Sequence, residues 1–574
     1  METVKRFIGV ILILTMMLTM ATACGSSDEP TAPVNNEDVA GNQDDKEDVV
    51  DDDTATVNEF GWVVPKEPIE FSAYDARQLN PDEQEKSTTN MENYLEEKFN
   101  VKINRIMSDA DPTERLNLAL ASNDYPEVIY NMPYAEMLKW AEMGKLVEIT
   151  PMLDTVGTNA KLLIGDLLPL YLDENDKLWG TPIGMRWLDI PDYSAHLRWD
   201  WWNEMGRPEI NTPDDFYEVT MQMLNEHPTN ENGETVYSIS LYDQGNPNNF
   251  VGYWGLKNGW KIDSNNDFTY WAFTEEGKEM TKWWNKFWRS GTMDPDSFIN
   301  KFEEWKTKFS NERIVSAVGG WWIAWHAGHE VWLRTDEDWD EEKRYFQVTF
   351  KAPDAEAAYL SPKDSFGSGF TVITDKAEDP ESIMKFIDFC ATTPGRALTA
   401  WGIPNGIKGD KIDNLANWHI NSPDDWYIDE TAKKSLLEET YDYSEYDGNL
   451  GTGVFQFISD VSRWEDGVHC GWMNQMWLDQ NKWKKILQEN TAGTIYDFTA
   501  ARVVYKPDDP MKLIEQAVTD AWKQYWPLCV QANSDAELEE AWQNLQDALT
   551  AAGIEEYTQF RSDSYKKNME LLGN

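Results

Sequence analysis

From about residue 65 onward the hydrophobic period switches repeatedly between two and 3.6, and no other feature of the chain restricts its fold so strongly. Ile69-Glu70-Phe71-Ser72-Ala73-Tyr74 alternates as a half-buried strand does. Tyr94, Leu95 and Phe99 then share one face of a helix expected over Asn90 to Phe99, and Val101-Lys102-Ile103 is extended again. A helix is predicted from Thr113 to Ala121, and Tyr125-Pro126 breaks it into the strand Val128-Ile129-Tyr130. Strands alternating with helices in short units predict an α/β fold with a largely parallel sheet. Ligands of such sheets sit beyond the C-terminal ends of the strands, which points to Tyr130, Asn131 and Tyr134.

The alternation continues. Tyr134 to Met143 reads as a helix closed by Gly144, and the turn Gly180-Thr181-Pro182 leads into an aromatic and basic stretch. Thr212-Pro213-Asp214-Asp215 has an N-cap, a proline at the first helical position and acids in the first turn, so a helix should run to about Asn225. Another is expected from Thr274 to Arg289, closed by Gly291, with Trp283, Trp284 and Trp288 as packing residues. Ile314 to Gly320 is a buried strand and glycine turn that delivers Trp321, Trp322 and Trp325. Phe370 to Ile373 is a further strand, Asp379-Pro380 opens a helix, and Trp401 precedes the turn Gly402 to Gly406.

Tryptophan is unusually common, with 29 residues against 23 Tyr and 22 Phe. Indole combines a flat apolar face with one N–H donor, which suits the CH face and polar edge of a pyranose ring. The net charge is -52, from 102 acidic against 50 basic residues spread along the chain, whereas a nucleic-acid binder concentrates positive charge. Beyond Cys24 only Cys390, Cys470 and Cys529 remain, without zinc-type spacing, so no disulfide framework, structural metal or cofactor is expected.

The N-terminus predicts an exported chain. Lys5 and Arg6 precede an uncharged apolar run from Phe7 to Met20, too short for a mature membrane span, and it ends in Ala21-Thr22-Ala23-Cys24-Gly25. This resembles a bacterial lipobox, with 1-23 as signal peptide and Cys24 as the lipidated residue. Ala21 stands where Leu is usual, and Ala21-x-Ala23 also fits ordinary cleavage to a freely secreted protein. Two acyl chains would anchor it firmly, since each buried methylene is worth ~0.8 kcal/mol. Residues 24-64 form an acidic linker, including Asp44-Asp45-Lys46-Glu47-Asp48 and Asp51-Asp52-Asp53, that buries no core and is extended by its own charge.

Several ordered segments resemble the family 1 extracellular solute-binding proteins of bacterial ABC importers, in particular the long lipoprotein branch associated with oligosaccharides. They are Arg115 to Ser122 followed by Pro126-Glu127-Val128, where the family has Pro-Asp-Val; Ala141-Glu142-Met143-Gly144-Lys145-Leu146; Arg198-Trp199-Asp200-Trp201-Trp202 ahead of the Thr212-Pro213 helix start; Gly291-Thr292-Met293-Asp294-Pro295-Asp296; the Phe370 to Ile373 strand; the Pro380 helix; and Trp401-Gly402-Ile403.

The resemblance implies a two-lobed, type II periplasmic-binding-protein-like α/β fold with the ligand cleft between lobes. One lobe is expected at 65-186 plus 351-430 and the other at 187-350 plus 431-574. It also implies capture of a carbohydrate by lobe closure, delivery to the permease subunits of an ABC transporter and no catalysis; a monomer is expected, and a lipid anchor instead of free secretion points to the outer face of a Gram-positive cell membrane. The cleft residues would then be Tyr130, Asn131 and Tyr134; Arg186, Trp187, Tyr193 and Arg198 entering the second lobe; and Trp321, Trp322, Trp325 and Trp401. Arg198 and Asp200 could instead be a structural pair, and His196 is expected to be a surface or packing residue and not a ligand contact. Some relatives carry a calcium loop after the Thr-Pro helix, but Asn225 to Glu234 has few alternating carboxylates, and Asp263-Ser264-Asn265-Asn266-Asp267 reads as a turn, so no metal is assigned. The alternative reading is an anchored glycoside hydrolase, because a Trp-lined cleft suits both functions and spacing in sequence does not exclude a catalytic carboxylate pair.

Overall fold

Strands of two separate sheets are laid down along the chain in the order set by its alternating periods. The computed structural model describes residues 56–77, 91–106, 111–186, 193–242, 245–320, 323, 328, 331–332, 340, 342–404, 407–408, 411–412, 418–428, 455–460, 482–505 and 509–573. Cys24, most of the acidic linker, Trp187, Trp321, Trp322 and Trp325 lie outside the described residues, and of Trp401 only the backbone is described.

In chain order the strands are β1 (Ile69–Asp75), β2 (Val101–Ile106), β3 (Val128–Met132), β4 (Thr181–Ile183), β5 (Tyr193–Arg198), β6 (Tyr237–Ile239), β7 (Trp260–Ile262), β8 (Phe268–Tyr270), β9 (Ile314–Gly320) and β10 (Tyr345–Val348). They continue with β11 (Ser361–Lys363), β12 (Gly369–Ile373), the hairpins β13 (Ile407–Lys408) with β14 (Lys411–Ile412) and β15 (Trp418–Ser422) with β16 (Asp425–Ile428), and finally β17 (Ile495–Asp497).

The first sheet has the order β2-β1-β3-β12-β4. Here β1 is parallel to β2 and β3, while β12 is antiparallel to β3 and β4, so the sheet is mixed and not the largely parallel one expected. The reason is connectivity. β2 and β3 are each delivered by a local crossover, but β12 enters after the chain has travelled through the second sheet, and no βαβ crossover dictates its direction. The second sheet, β10-β5-β9-β6, is also mixed: β5 is antiparallel to β9 and β10, and β6 is parallel to β9.

Local chemistry explains where the covering helices begin. The helix Pro213–Glu226 opens with a capping box in which the Asp215 amide donates to Thr212 Oγ1 at 3.1 Å and the Thr212 amide donates to Asp215 Oδ2 at 2.8 Å. Its Phe216, Val219, Thr220 and Met223 recur at helical spacing and are buried. The helix Glu275–Arg289 is capped by Thr274 and buries Trp283 and Trp284, with the Trp283 indole donating to the Pro213 carbonyl at 2.7 Å. At Pro126-Glu127-Val128 the Glu127 carboxylate accepts from both the amide and the hydroxyl of Ser72, tying the entrance of β3 to β1.

Each sheet has its own core. Phe71, Val101, Ile129, Trp140 and Val372 belong to the first, and Leu197, Phe216, Trp284, Trp526 and Leu545 to the second. Phe350, Ala358 and Leu360 pack with the second core, and Phe455, Phe457 and Ile458 with the first. Packing therefore passes from the second core to the first after Leu360, and residues 455–458 are with the first core. The C-terminal helices Pro510–Val530, Asp535–Ala551 and Ile554–Leu571 contribute Trp526, Leu545 and Tyr557 to the second core. Among the described residues no helix is long and apolar enough to cross a membrane.

Candidate functional site

Two features meet where a ligand of an α/β sheet would bind: the C-terminal ends of β1 and β3, and the place where the chain passes from one sheet to the other. At the strand ends, alternation sorts the expected residues. Tyr130 is 3% exposed and its ring is turned into the first core against Phe457, with centroids 5.2 Å apart. Its neighbour Asn131 takes φ +59° and directs its side-chain amide to Asp75 Oδ1 at 2.8 Å. That left-handed residue shifts the β3–β12 register between Phe370 and Val372, and a Cβ on the facing Gly369 would meet Asn131 Cα at 3.0 Å. Tyr134 is half-buried between Phe366 and Phe370, and burial pushes its phenol up to about 12.

Two strand-end residues escaped the sequence reading. Asp75 ends β1 and accepts from Arg77 Nε at 3.2 Å through Oδ1 and from Arg77 Nη2 at 2.6 Å through Oδ2. Its Oδ1 also accepts from Asn131, so one carboxylate holds both an arginine and an amide. The signal for them was their place after β1, level with Tyr130 in the register.

The passage between sheets is stitched by four segments. The Met185 amide donates to the Ser459 carbonyl at 2.9 Å, the Gly184 amide to Ser459 Oγ at 2.8 Å, and the Arg186 amide to the Ser365 carbonyl at 3.1 Å. The Ser365 amide in turn donates to Thr499 Oγ1 at 3.0 Å, and β11 pairs in parallel with β17. Arg186 was expected to face ligand. Its guanidinium is instead occupied, with Nη1 on Asp460 and the Leu163 carbonyl and Nη2 on Asp166 and the Ile164 carbonyl, all between 2.6 and 3.0 Å. It acts as a clamp on the crossing strands. Tyr193 opens β5 opposite Gly320, half-buried, with its amide donating to Ser361 Oγ at 3.2 Å.

Arg198 is 1% exposed and forms the structural pair with Asp200 that the sequence left open, at 2.9 and 2.5 Å, plus a bond to Glu312 at 3.0 Å. It stacks on Trp201 with 4.1 Å to the ring centroid. These partners tie the end of β5 to Asp200, Trp201 and Glu312. Along β5, Ala195 and Leu197 face the second core, so His196 and Arg198 face the opposite side.

His196 is fully buried, with Nε2 3.3 Å from the Gly319 carbonyl and, among the described residues, no partner for Nδ1. Burial lowers its pKa to about 4 against the smaller opposing effect of the Gly319 and Gly320 carbonyls. Because the folded pKa lies below the unfolded value, its contribution is complete above about pH 6.5 and is lost as pH falls toward 4, roughly 3 kcal/mol in all. Between pH 7 and 5, His196→Gln should therefore lose less thermal stability than the parent protein. Identical losses in calorimetric scans would refute this role.

The expected turn at Asp263 is formed: it links β7 to β8, with Asp263 Oδ1 accepting from the amides of Asn265 and Asp267.

No family model matches the sequence, and no curated protein does. Solved structures do match over nearly their whole length. FusA, an ABC-transporter substrate-binding protein of Streptococcus pneumoniae solved with fructo-nystose, is 17% identical with a TM-score of 0.64, covering 87% of this chain and 99% of that one. The alginate-binding protein AlgQ2 is 15% identical with a TM-score of 0.60, covering 88% and 99%. An HMO-binding solute-binding protein associated with an ABC transporter in Bifidobacterium longum infantis is 14% identical with a TM-score of 0.61, covering 87% and 99%. At these identities the likeness establishes the fold: the chain has the α/β fold, with two mixed sheets, of the solute-binding proteins of ABC transporters.

Proposed function

We propose that the protein is an extracytoplasmic solute-binding lipoprotein that captures an oligosaccharide by lobe closure and hands it to the permease of an ABC transporter. The observation that carries this reading is the likeness of the fold across 99% of FusA, a protein solved with kestose and with fructo-nystose. In a two-lobed binder the ligand touches both lobes and favours the closed state by its extra contacts there. The stitched crossing at Gly184 to Arg186, Ser365 and Ser459 supplies a fixed base about which such closure takes place. Lipidation at Cys24 would keep the protein at the outer face of a Gram-positive membrane beside its permease. Asn131 and Tyr193 lie at the strand ends, and Trp187, Trp321, Trp322, Trp325 and Trp401 are the stacking candidates contributed by sequence position. The ligand leaves unchanged chemically.

The test is thermal unfolding of the mature protein against a panel of oligosaccharides and peptides. A ligand that binds only the native state stabilises it by about 2.7 kcal/mol at a hundredfold excess over Kd, so one glycan should raise the melting temperature clearly. A shift with a peptide and none with any glycan would overturn the carbohydrate assignment. Release of free sugar, abolished by replacing one carboxylate, would overturn the non-catalytic one.

A further inference from the structure

Granting the solute-binding reading, we propose that Asp75, Arg77 and Asn131 form a hydroxyl-binding subsite at the end of the first sheet that accepts an uncharged sugar residue and rejects a uronate. The trio is built for this. Asp75 is 10% exposed at its side chain and holds Arg77, 39% exposed, through both carboxylate oxygens, while Asn131 donates to the same carboxylate. Burial opposes the charge on Arg77, but the bonds to Asp75 outweigh it and keep the guanidinium protonated. Among the described residues Arg77 Nη1 and Asn131 Oδ1 have no hydrogen-bond partner, leaving a donor and an acceptor on two side chains held by the same carboxylate. Neighbouring sugar hydroxyls each donate and accept, so a pair of them complements this arrangement.

The charge balance supplies the selectivity. One guanidinium and one carboxylate leave the trio neutral, and a ligand carboxylate would have to share Arg77 with Asp75 at the cost of like-charge repulsion. The other arginines once expected at the cleft are likewise compensated, Arg186 by Asp166 and Asp460 and Arg198 by Asp200 and Glu312. A chain of net charge -52 adds a long-range field that opposes a polyanion.

Calorimetric titration of the full mature protein with fructo-, manno-, xylo- and galacto-oligosaccharides, and with galacturonate and guluronate oligomers of equal length, tests this. A neutral sugar should bind and the uronates should not. Arg77→Gln should weaken the neutral ligand about tenfold to a hundredfold, as loss of a hydrogen bond to a charged group does, while the free protein keeps its fold by circular dichroism with a lowered melting temperature. Asp75→Asn, which uncovers the positive charge, should weaken the neutral sugar and allow a uronate to bind. Uronate binding by the parent protein as tight as that of any neutral sugar, or unchanged affinity in Arg77→Gln, would overturn the subsite while leaving the solute-binding reading in place. Binding of no glycan at all would overturn both.

Discussion

Arg198→Ala is expected to lower the stability of the protein by about 3–5 kcal/mol, the range for breaking a buried ion pair from one side. The side chain is 1% exposed, and its three charge-assisted bonds go to Asp200 and Glu312. Burial alone would lower its pKa; the bonds to Asp200 reverse this and hold it above the ordinary arginine value, so the residue stays charged at any working pH. Removing it leaves Asp200 facing an emptied space, whereas Glu312 keeps Lys343 at 2.8 Å. Trp201 also loses the cation stacked on it. Arg198→Lys should recover little, because an ammonium does not reproduce the planar fork on Asp200. Guanidinium unfolding followed by tryptophan fluorescence gives the loss directly. If Arg198 instead faced ligand, the variant would keep its stability and lose affinity, and that outcome would reverse the assignment.

What the sequence reveals and what it hides divide along the range of the interactions. The strand Ile69–Asp75, the Thr212 cap and the Asp263 turn are visible because each is decided by residues within one or two turns of chain. The strand-end position was visible for the same reason. Which of Tyr130 and Asn131 faces outward was not, since it depends on Asn131 adopting a left-handed conformation opposite Gly369, a residue 238 positions away. The partners of Arg186 and Arg198 include Asp460 and Glu312, 274 and 114 residues distant, and no local pattern announces them. The indoles make the same point. Trp140, Trp271, Trp284 and Trp305 are buried with Nε1 lacking a partner among the described residues, and they serve as bulk in the cores. Composition alone does not separate indoles that fill a core from indoles that would stack on a ligand.

Asp294→Ala should cost as much as the loss of Arg198, again about 3–5 kcal/mol. The residue belongs to Gly291-Thr292-Met293-Asp294-Pro295-Asp296, one of the segments that carried the family resemblance. Its carboxylate is fully buried and accepts from Ser240 Oγ at 2.6 Å, Asn300 Nδ2 at 2.9 Å and Lys308 Nζ at 2.9 Å. Its amide donates to the Ile239 carbonyl, which fastens the segment to β6 at the edge of the second sheet. Truncation leaves the Ser240 O–H without its acceptor, though its oxygen still accepts from Asn300 Nδ2 at 3.3 Å, and removes the main counter-charge of Lys308, whose ammonium keeps, among the described residues, Asp296 and Asn300 Oδ1. The cost therefore lies chiefly in the stranded partners, and it should shrink when they are removed too. Asp294→Ala combined with Lys308→Met should be less destabilised than the sum of the two single variants, with a coupling of about 1–3 kcal/mol in a double-mutant cycle. Additive losses would show that the ion pair contributes nothing beyond packing. A motif shared for such a reason marks the stability of a sheet edge, and its presence at position 294 is no evidence of contact with ligand.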